Sequence, residues 1–258
     1  MAGDELVSRP ASGRRFTATT RIRLADVSAT GRLRLDAIAR LLQDVSSDDT
    51  ADAAYAADAV WVIRRLVIEP VAATSTRRRL PRLRDDVTLV TWCSGTGPRW
   101  AERRTDIELD GEVVVRCAAL WVFVDFESGR PIPLGADFHA VYGEAAGGRR
   151  VGQRLRHGPP PANAPATPWP LRVTDFDVLG HVNNAAYWGP VEEMLAGLAP
   201  GWSVARAELE FRGGIDPNDP VHTVEALIGG DLKLWLTVGT DVRASAVVAL
   251  AASPGRRF

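Results

Sequence analysis

The chain has 258 residues, of which 46% are hydrophobic and 24% are charged, and this composition is typical of a soluble globular protein. The formal net charge of −1 argues against a bulk electrostatic affinity for nucleic acid. The N-terminus is acidic and no run of about 18 apolar residues occurs, so we expect neither a signal peptide nor a membrane span, and predict a cytoplasmic protein.

The first half of the chain predicts a strand, a loop that leads into a helix, and then four antiparallel strands. The loop carries Asp26, Gly31 and Arg32. Apolar residues follow it at the spacing of an amphipathic helix, at Leu35, Ile38, Leu41, Leu42 and Val45. Segments rich in β-branched residues predict strands at 59–69, 87–93, 102–109 and 113–125. We assign residues 1–145 to this first domain. Its Cys93 and Cys117 have no metal-site spacing and are predicted to be reduced core thiols.

A segment rich in glycine and proline, residues 146–168, separates the two halves. It includes three consecutive prolines at 159–161 and further prolines at 165 and 168. Because proline fixes φ and has no backbone N–H, we predict an extended linker that lies over the surface and forms no packed strand or helix.

The second half, residues 169–258, repeats the order of the first. Residues 175–187 read Asp-Phe-Asp-Val-Leu-Gly-His-Val-Asn-Asn-Ala-Ala-Tyr, which predicts a loop that leads into a helix. Tyr187, Val191 and Leu195 recur at helical spacing, and strands are predicted at 204–211, 221–228, 232–238 and 242–251.

A constant offset relates the two halves. It places Asp26 on Asp175, Gly31 on Gly180, Arg32 on His181 and Gln43 on Glu192. One long helix wrapped by an antiparallel sheet is the hotdog arrangement. Its repetition predicts an α+β double hotdog with two antiparallel sheets, each wrapped around a long helix.

The loop of the second half collects side chains suited to hydrolysis of an acyl group. His181 follows Asp177 by four residues, so we expect the carboxylate to orient the imidazole as a general base. The helix N-terminus favours negative charge, and Asn183 with backbone N–H groups is expected to hold an oxyanion there. Structural alternatives remain open: a bond from His181 to a backbone carbonyl, an Asx turn at Asp177, and a capping role for Asn183 or Asn184.

Several further segments carry a resemblance to a known family. They are Leu-Leu-Gln-Asp at 41–44, Trp-Val-Ile-Arg at 61–64, Thr-Trp-Cys-Ser-Gly at 91–95, Ala-Leu-Trp-Val-Phe-Val-Asp at 119–125 and Glu-Phe-Arg at 210–212. With residues 175–187, they make the chain similar to the acyl-ACP thioesterases of plants and bacteria, a double-hotdog family. The resemblance implies hydrolysis of acyl thioesters.

The resemblance transfers only part of the family's catalytic set. Its aspartate falls on Asp177 and its histidine on His181. Its asparagine falls on Leu179, and the glutamate and cysteine of its later strand fall on Gly214 and Ile215, which cannot replace them chemically.

Substrate contacts are predicted for four residues, Gln43, Trp61, Asn184 and Tyr187. Tyr187 and its neighbour Trp188 are expected in the core or in a tunnel wall. Glu192 and Glu193 stand about three turns beyond His181, so we predict solvated acids or acids at a helix–helix interface.

The predicted function is hydrolysis of fatty acyl-ACP thioesters, which ends fatty acid synthesis. The implied partner is acyl carrier protein with a phosphopantetheine-linked acyl chain, and no metal or redox cofactor is implied. Arginine-rich runs at 64–65, 77–79, 82–84 and 103–104 are either a solvated face or a patch that steers this acidic partner. Two alternatives stay open, an acyl-CoA thioesterase and a non-catalytic acyl-binding protein. The chain is expected as a monomer or a homodimer.

Overall fold

A computed structural model describes residues 6–55, 59–71, 80–198 and 202–252. In the first half these residues form β1 (Phe16–Arg21), α1 (Leu35–Asp52), β2 (Ala59–Pro70), β3 (Asp86–Thr96), β4 (Trp100–Leu109), β5 (Glu112–Asp125) and α2 (Ala136–Ala146). In the second half they form β6 (Ala166–Pro168), α3 (Gly189–Ala196), β7 (Trp202–Phe211), β8 (Val221–Ile228), β9 (Asp231–Val238) and β10 (Asp241–Ala252). The strands predicted from the sequence are all present, with ends that differ by a few residues. Helix α2 was not predicted.

The strands of the described ranges form one antiparallel sheet in the order β1-β3-β4-β5-β2-β7-β10-β9-β8-β6. The halves join where β2 pairs with β7, with Arg65 opposite Glu210 and Ile68 opposite Ala207. Backbone hydrogen bonds between β2 and β7 thus make the sheets of the two halves continuous. The α+β class is as predicted.

The helices of the two halves differ in length. Helix α1 has 18 residues and buries Leu35, Ile38 and Leu42 against the sheet, as its apolar spacing predicted. Helix α3 has only eight residues and follows a 3₁₀ turn at Ala186–Trp188, so the prediction of a long second helix directly after the loop is wrong. Pro190 lies in its first turn, where the missing N–H and the fixed φ of proline favour a helix start.

The main core lies between α1, α3 and one face of the sheet, and it includes Ile68, Val191 and Leu209. Both cysteines are buried and free, as predicted. Burial raises the pKa of the Cys93 and Cys117 thiols, which keeps them protonated at neutral pH.

The segment that joins the halves crosses the other face of the sheet. The indole N–H of Trp100 donates to the Val151 carbonyl at 2.8 Å, and that of Trp235 donates to the Gly158 carbonyl at 2.8 Å. Ala166–Pro168 forms the edge strand β6, so the prediction of no strand within 146–168 is wrong at its last three residues. An edge strand tolerates proline because its outer N–H groups are not needed for pairing. No helix of the described ranges is long and apolar enough to cross a membrane.

Candidate active site

The second loop, residues 172–183, is a closed turn built from local hydrogen bonds. The Asp175 carboxylate accepts a hydrogen bond from the Arg172 N–H at 2.8 Å, and this bond fixes a 3₁₀ turn. Phe176 and Val182 then pair in an antiparallel bridge. Gly180 lies between them with φ of +78°, a conformation that glycine adopts without strain.

His181 stands near the tip of this loop and is held by the turn that follows β7. Its Nδ1 lies 2.7 Å from Oδ1 of Asp216, and its side chain is 58% exposed. Gly214 borders the same ring, since a Cβ on Gly214 would stand 3.4 Å from Nδ1. With Nδ1 engaged by a carboxylate, Nε2 is the nitrogen available to a substrate or a water.

The carboxylate that contacts His181 is not the predicted one. Asp177 accepts hydrogen bonds from the Leu179 N–H at 2.9 Å and from Nδ2 of Asn183 at 3.1 Å. The predicted orientation of His181 by Asp177 is therefore wrong in this structure. The short Asp177 side chain reaches the backbone of its own turn, as in an Asx turn, and it braces the loop.

The two asparagines have different surroundings. Oδ1 of Asn183 accepts from the Ala185 N–H at 2.9 Å while its Nδ2 donates to Asp177, so this amide is used within the loop. Asn184 is half-buried, and its side chain makes no hydrogen bond to the part of the chain that the structure describes. The geometry therefore gives Asn183 a bracing role and leaves the Asn184 amide free.

Tyr187 belongs to the core. It is 3% exposed and packs edge-on against Phe211, with ring centroids 5.2 Å apart. Burial raises the pKa of its hydroxyl, which keeps the phenol protonated near neutral pH. Trp188 is also fully buried. Both residues thus match the core alternative.

The first loop, residues 23–34, has the same backbone fold as the second. Asp26 accepts from the Arg23 N–H at 2.7 Å, and Gly31 has φ of +79°. Val27 and Leu33 form the bridge that corresponds to Phe176 and Val182. The internal repeat predicted from the sequence is thus confirmed in three dimensions.

Glu192 of the second half contacts the first loop. Its carboxylate pairs with both terminal nitrogens of Arg32, the counterpart of His181, with Nη1 at 3.0 Å from Oε1. Oε1 also accepts from the Leu35 N–H at 2.6 Å and so caps the N-terminus of α1. This confirms the predicted interface acid, whereas Glu193 is exposed. Gln43, the internal counterpart of Glu192, is half-buried on α1.

A cavity of about 190 Å³ lies between α1, α2 and the sheet of the first half. We call it the α1 cavity. Its wall consists of Ser46, Ser47, Thr50, Trp61, Cys93, Ala101, Glu102, Arg103, Trp121, Phe138 and Tyr142. Trp61 lines the cavity, which agrees with its predicted substrate contact, whereas Gln43 does not line the cavity. In the second half, the space beneath the loop measures only about 10 Å³.

The cavity and the second loop lie at the same end of the β2–β7 pair. The pairing of β2 with β7 ends at Arg65 and Glu210. Because the strands are antiparallel, the chain beyond Glu210 continues toward Gly214 beside the part of β2 that carries Trp61.

The arginine-rich runs lie partly in the interior and partly on the surface, where Arg82 and Arg84 are exposed. Arg104 is 1% exposed and donates to the Cys117 carbonyl at 2.7 Å, and Arg103 pairs with the buried Asp49. Arg65 is also buried, while Arg77–Arg79 lie outside the described residues. Arg65, Arg103 and Arg104 therefore belong to ion pairs inside the first half.

An open groove of about 560 Å³ collects three other arginines, Arg64, Arg154 and Arg212. Burial, and then the nearby charge of Arg212, lower the pKa of Arg64. Val62 of β2 shares the groove, and Arg212 lies two residues before Gly214, so the groove borders the turn that holds His181.

Comparisons with known proteins decide the family. Residues 13–142 match the model of the acyl-ACP thioesterase N-terminal domain, and residues 160–234 match that of the C-terminal domain. This chain belongs to the acyl-ACP thioesterase family. The thioesterase is 30% identical to an uncharacterised protein of Mycobacterium tuberculosis over 94% of this chain and 95% of that protein. As the family reaction requires, it is a hydrolase of fatty acyl thioesters.

Solved structures share the fold of the thioesterase. A putative oleoyl thioesterase from Lactobacillus plantarum matches with a TM-score of 0.78 and 18% identity, over 95% of this chain and 99% of that chain. The 12:0-ACP thioesterase from Umbellularia californica matches with a TM-score of 0.77 and 18% identity, over 93% of this chain and 98% of that chain. At this identity the likeness shows the double-hotdog type of fold and no more.

Proposed function

We propose that this thioesterase hydrolyses fatty acyl chains carried by acyl carrier protein, with His181 as the general base. The observation that carries the proposal is the His181–Asp216 pair, an exposed imidazole bonded through Nδ1 to a carboxylate at 2.7 Å. A carboxylate in that position fixes the ring and favours the tautomer with a free Nε2.

The reaction needs one water and no cofactor. Nε2 of His181 accepts a proton as the water oxygen bonds to the thioester carbonyl carbon, which generates an oxyanion. The oxyanion then collapses, the carbon–sulfur bond breaks, and the thiolate leaves with the electron pair. The imidazolium returns its proton to the thiolate, so a carboxylic acid and a free thiol result.

Asp216 is the proposed positioning residue for the base. The resemblance places the glutamate of the family at Gly214, which has no side chain, yet Gly214 borders the His181 ring. Asp216 lies two residues further along the same turn and contacts that ring directly. A carboxylate from a neighbouring position thus compensates for the missing glutamate.

Asn184 is the proposed donor to the oxyanion, because the Asn183 amide is used inside the loop. The internal repeat indicates a position for Gln43 in this site. Gln43 is the counterpart of Glu192, and Asn184 is the counterpart of Leu35. Glu192 accepts a hydrogen bond from the Leu35 N–H. We therefore place Gln43 beside Asn184, where it orients the amide or the thioester carbonyl.

The arginine groove is the proposed location of the phosphate on the carrier's arm. Three arginines line one open groove, and guanidinium groups favour a phosphodiester. One of them, Arg212, also pairs with Glu210 and lies two residues before Gly214 of the turn that holds His181. The arm can then pass the exposed tip of the second loop, where Val178 and Leu179 are uncovered.

The test compares acyl-ACP with acyl-CoA of the same chain length, with thiol release as the readout. We expect kcat/KM to be higher for the ACP thioester, and we expect Asp216→Asn to lower kcat roughly tenfold. Asp216→Glu should restore part of the rate. Equal efficiency on acyl-CoA would overturn the carrier assignment, and tight acyl binding without turnover above background would point to a binding protein.

A further inference from the structure

A histidine of the linker meets two glutamates on the face of the sheet that the linker crosses. His157, Glu208 and Glu210 each contribute one nitrogen or oxygen atom to a group in which all the atoms lie within 4.8 Å of one another. Leu209, between the two glutamates, belongs to the main core, so the alternation along β7 directs both glutamates to the opposite face. The path of the linker over β7 therefore brings three metal-ligating side chains together.

The hydrogen bonds of His157 decide which ring nitrogen is available. Its Nδ1 lies 3.1 Å from the carbonyl oxygen of Ser245 and 3.0 Å from the hydroxyl of the same residue. Because a carbonyl oxygen only accepts hydrogen bonds, Nδ1 carries the proton, and the neutral imidazole has its lone pair on Nε2. Histidines that bind metals typically donate the other ring N–H to a carbonyl or a carboxylate in this way.

The lone pair on Nε2 faces a second acceptor. The His157 side chain is only 9% exposed, and its Nε2 lies 3.9 Å from Oε1 of Glu208. The other carboxylate oxygen of Glu208 accepts from Arg206, whereas Oε1 has no hydrogen bond to the part of the chain that the structure describes. A protonated Nε2 would be too far from Oε1 for a hydrogen bond. A metal ion can join the two atoms, because two metal–ligand bonds of about 2.0–2.2 Å each span this gap.

Glu210 holds the linker at this point. Its carboxylate is fully buried and accepts hydrogen bonds from the backbone N–H groups of Arg156 and His157 and from the guanidinium of Arg212. These bonds fix the backbone of His157 over β7, so the imidazole stands beside Glu208 before any ion binds. Such support from surrounding groups is what orients the ligands of a metal site.

We propose that Nε2 of His157 and Oε1 of Glu208 bind a divalent transition-metal ion of the zinc type, with Glu210 as the third acidic group of the site. An imidazole combined with carboxylates suits such an ion, whereas Mg²⁺ takes oxygen ligands. The ion fastens the linker to β7. The inference goes beyond the proposed function and does not depend on it, because metal binding is measured without substrate.

The experiment is calorimetry with Zn²⁺ on the untagged enzyme after treatment with a chelator. We expect stoichiometric binding, and a higher midpoint of thermal unfolding with Zn²⁺ than with the chelator. His157→Gln and Glu208→Gln should each weaken Zn²⁺ binding by roughly tenfold or more. Mg²⁺ should not bind at this site.

His181→Ala is the matched control. Its imidazole also lies beside a carboxylate, that of Asp216, but outside this cluster, so the variant should keep the affinity for Zn²⁺. Thermal unfolding in chelator shows whether each variant is folded. If His157→Gln is not folded, Glu208→Gln decides alone, because its side chain is partly exposed.

Three results would overturn the inference. The first is an unmodified enzyme that does not bind Zn²⁺. The second is binding that persists in folded His157→Gln and Glu208→Gln, or that is lost in His181→Ala instead, since the ion would then be held elsewhere. The third is equal binding of Mg²⁺ that is lost in the same two variants, since the site would then not prefer an ion that takes nitrogen ligands.

Discussion

The two loops share one backbone and serve different purposes. In the first loop, Arg32 extends to Glu192 of the other half, and the pair closes the interface. In the second loop, His181 occupies the same position and remains 58% exposed, and its imidazole is hydrogen-bonded to Asp216 of a nearby turn. This fold therefore provides two equivalent positions, those of Arg32 and His181. An ion pair fills one of them, and the other stays open to a substrate.

The first prediction tests the position that the two loops share, by removing the side chain of His181 or of Arg32. His181→Ala should lower kcat by roughly 10²–10⁴, the usual loss for a general base, and should leave thermal stability unchanged because the ring is exposed. Arg32→Ala should do the reverse, with lower stability and nearly normal turnover per folded molecule. Steady-state kinetics and thermal unfolding on both variants check this. An active His181→Ala enzyme would exclude the proposed base.

The second prediction concerns the carboxylate at the closed position. Glu192→Gln weakens the pair with Arg32 and the cap on the Leu35 N–H, so the free energy of unfolding should fall by about 2 kcal/mol in urea titrations. Glu193→Gln is the control, and its exposed side chain should give almost no change. If Glu192→Gln instead abolished turnover at full stability, Glu192 would have to be a catalytic residue.

The third prediction uses the glycines that close the two loops. Gly31 and Gly180 have φ of +79° and +78°, and a Cβ would meet no atom within 4 Å at either site. Alanine should therefore cost about 1 kcal/mol of stability at each, from backbone strain alone. Only Gly180→Ala should also reduce kcat. Equal loss of activity in both variants would show that the first loop is not merely structural.

The smallest expected effect comes from restoring a carboxylate beside the base. Gly214 has no positive φ, so Gly214→Glu should fold, and its side chain would begin 3.4 Å from Nδ1 of His181. We expect a several-fold change in rate or a displaced pH profile, because a second acid competes with Asp216 for the ring. Gly214→Gln is the neutral control. Identical rates for all three proteins at every pH would mean that position 214 does not face the reacting thioester.

Local signals in the sequence were sufficient for the eight strands that follow the two loops, for α1 and for the repeated loop. The strands have apolar or β-branched patterns, and the loop needs only an acid and a glycine at fixed spacing. Helix α2 was not predicted because its apolar residues, Phe138, Val141, Tyr142 and Ala145, extend over only two turns next to the glycine-rich linker. The short length of α3 was not predicted because the apolar pattern of Tyr187, Val191 and Leu195 extends across a 3₁₀ turn into the helix.

The sequence by itself determined the two loops, the exposed histidine and the family resemblance, because residues close in the chain determine turn geometry. Only the tertiary structure decided which carboxylates pair with His181 and Arg32. Asp216 is 35 residues from His181, and Glu192 is 160 residues from Arg32, so only the packed sheet brings either pair together. Asp177 was the nearer acid along the chain, but its short side chain bonds to its own turn first. The aromatic α1 cavity likewise depends on how α1, α2 and the sheet meet, which no local sequence pattern predicts.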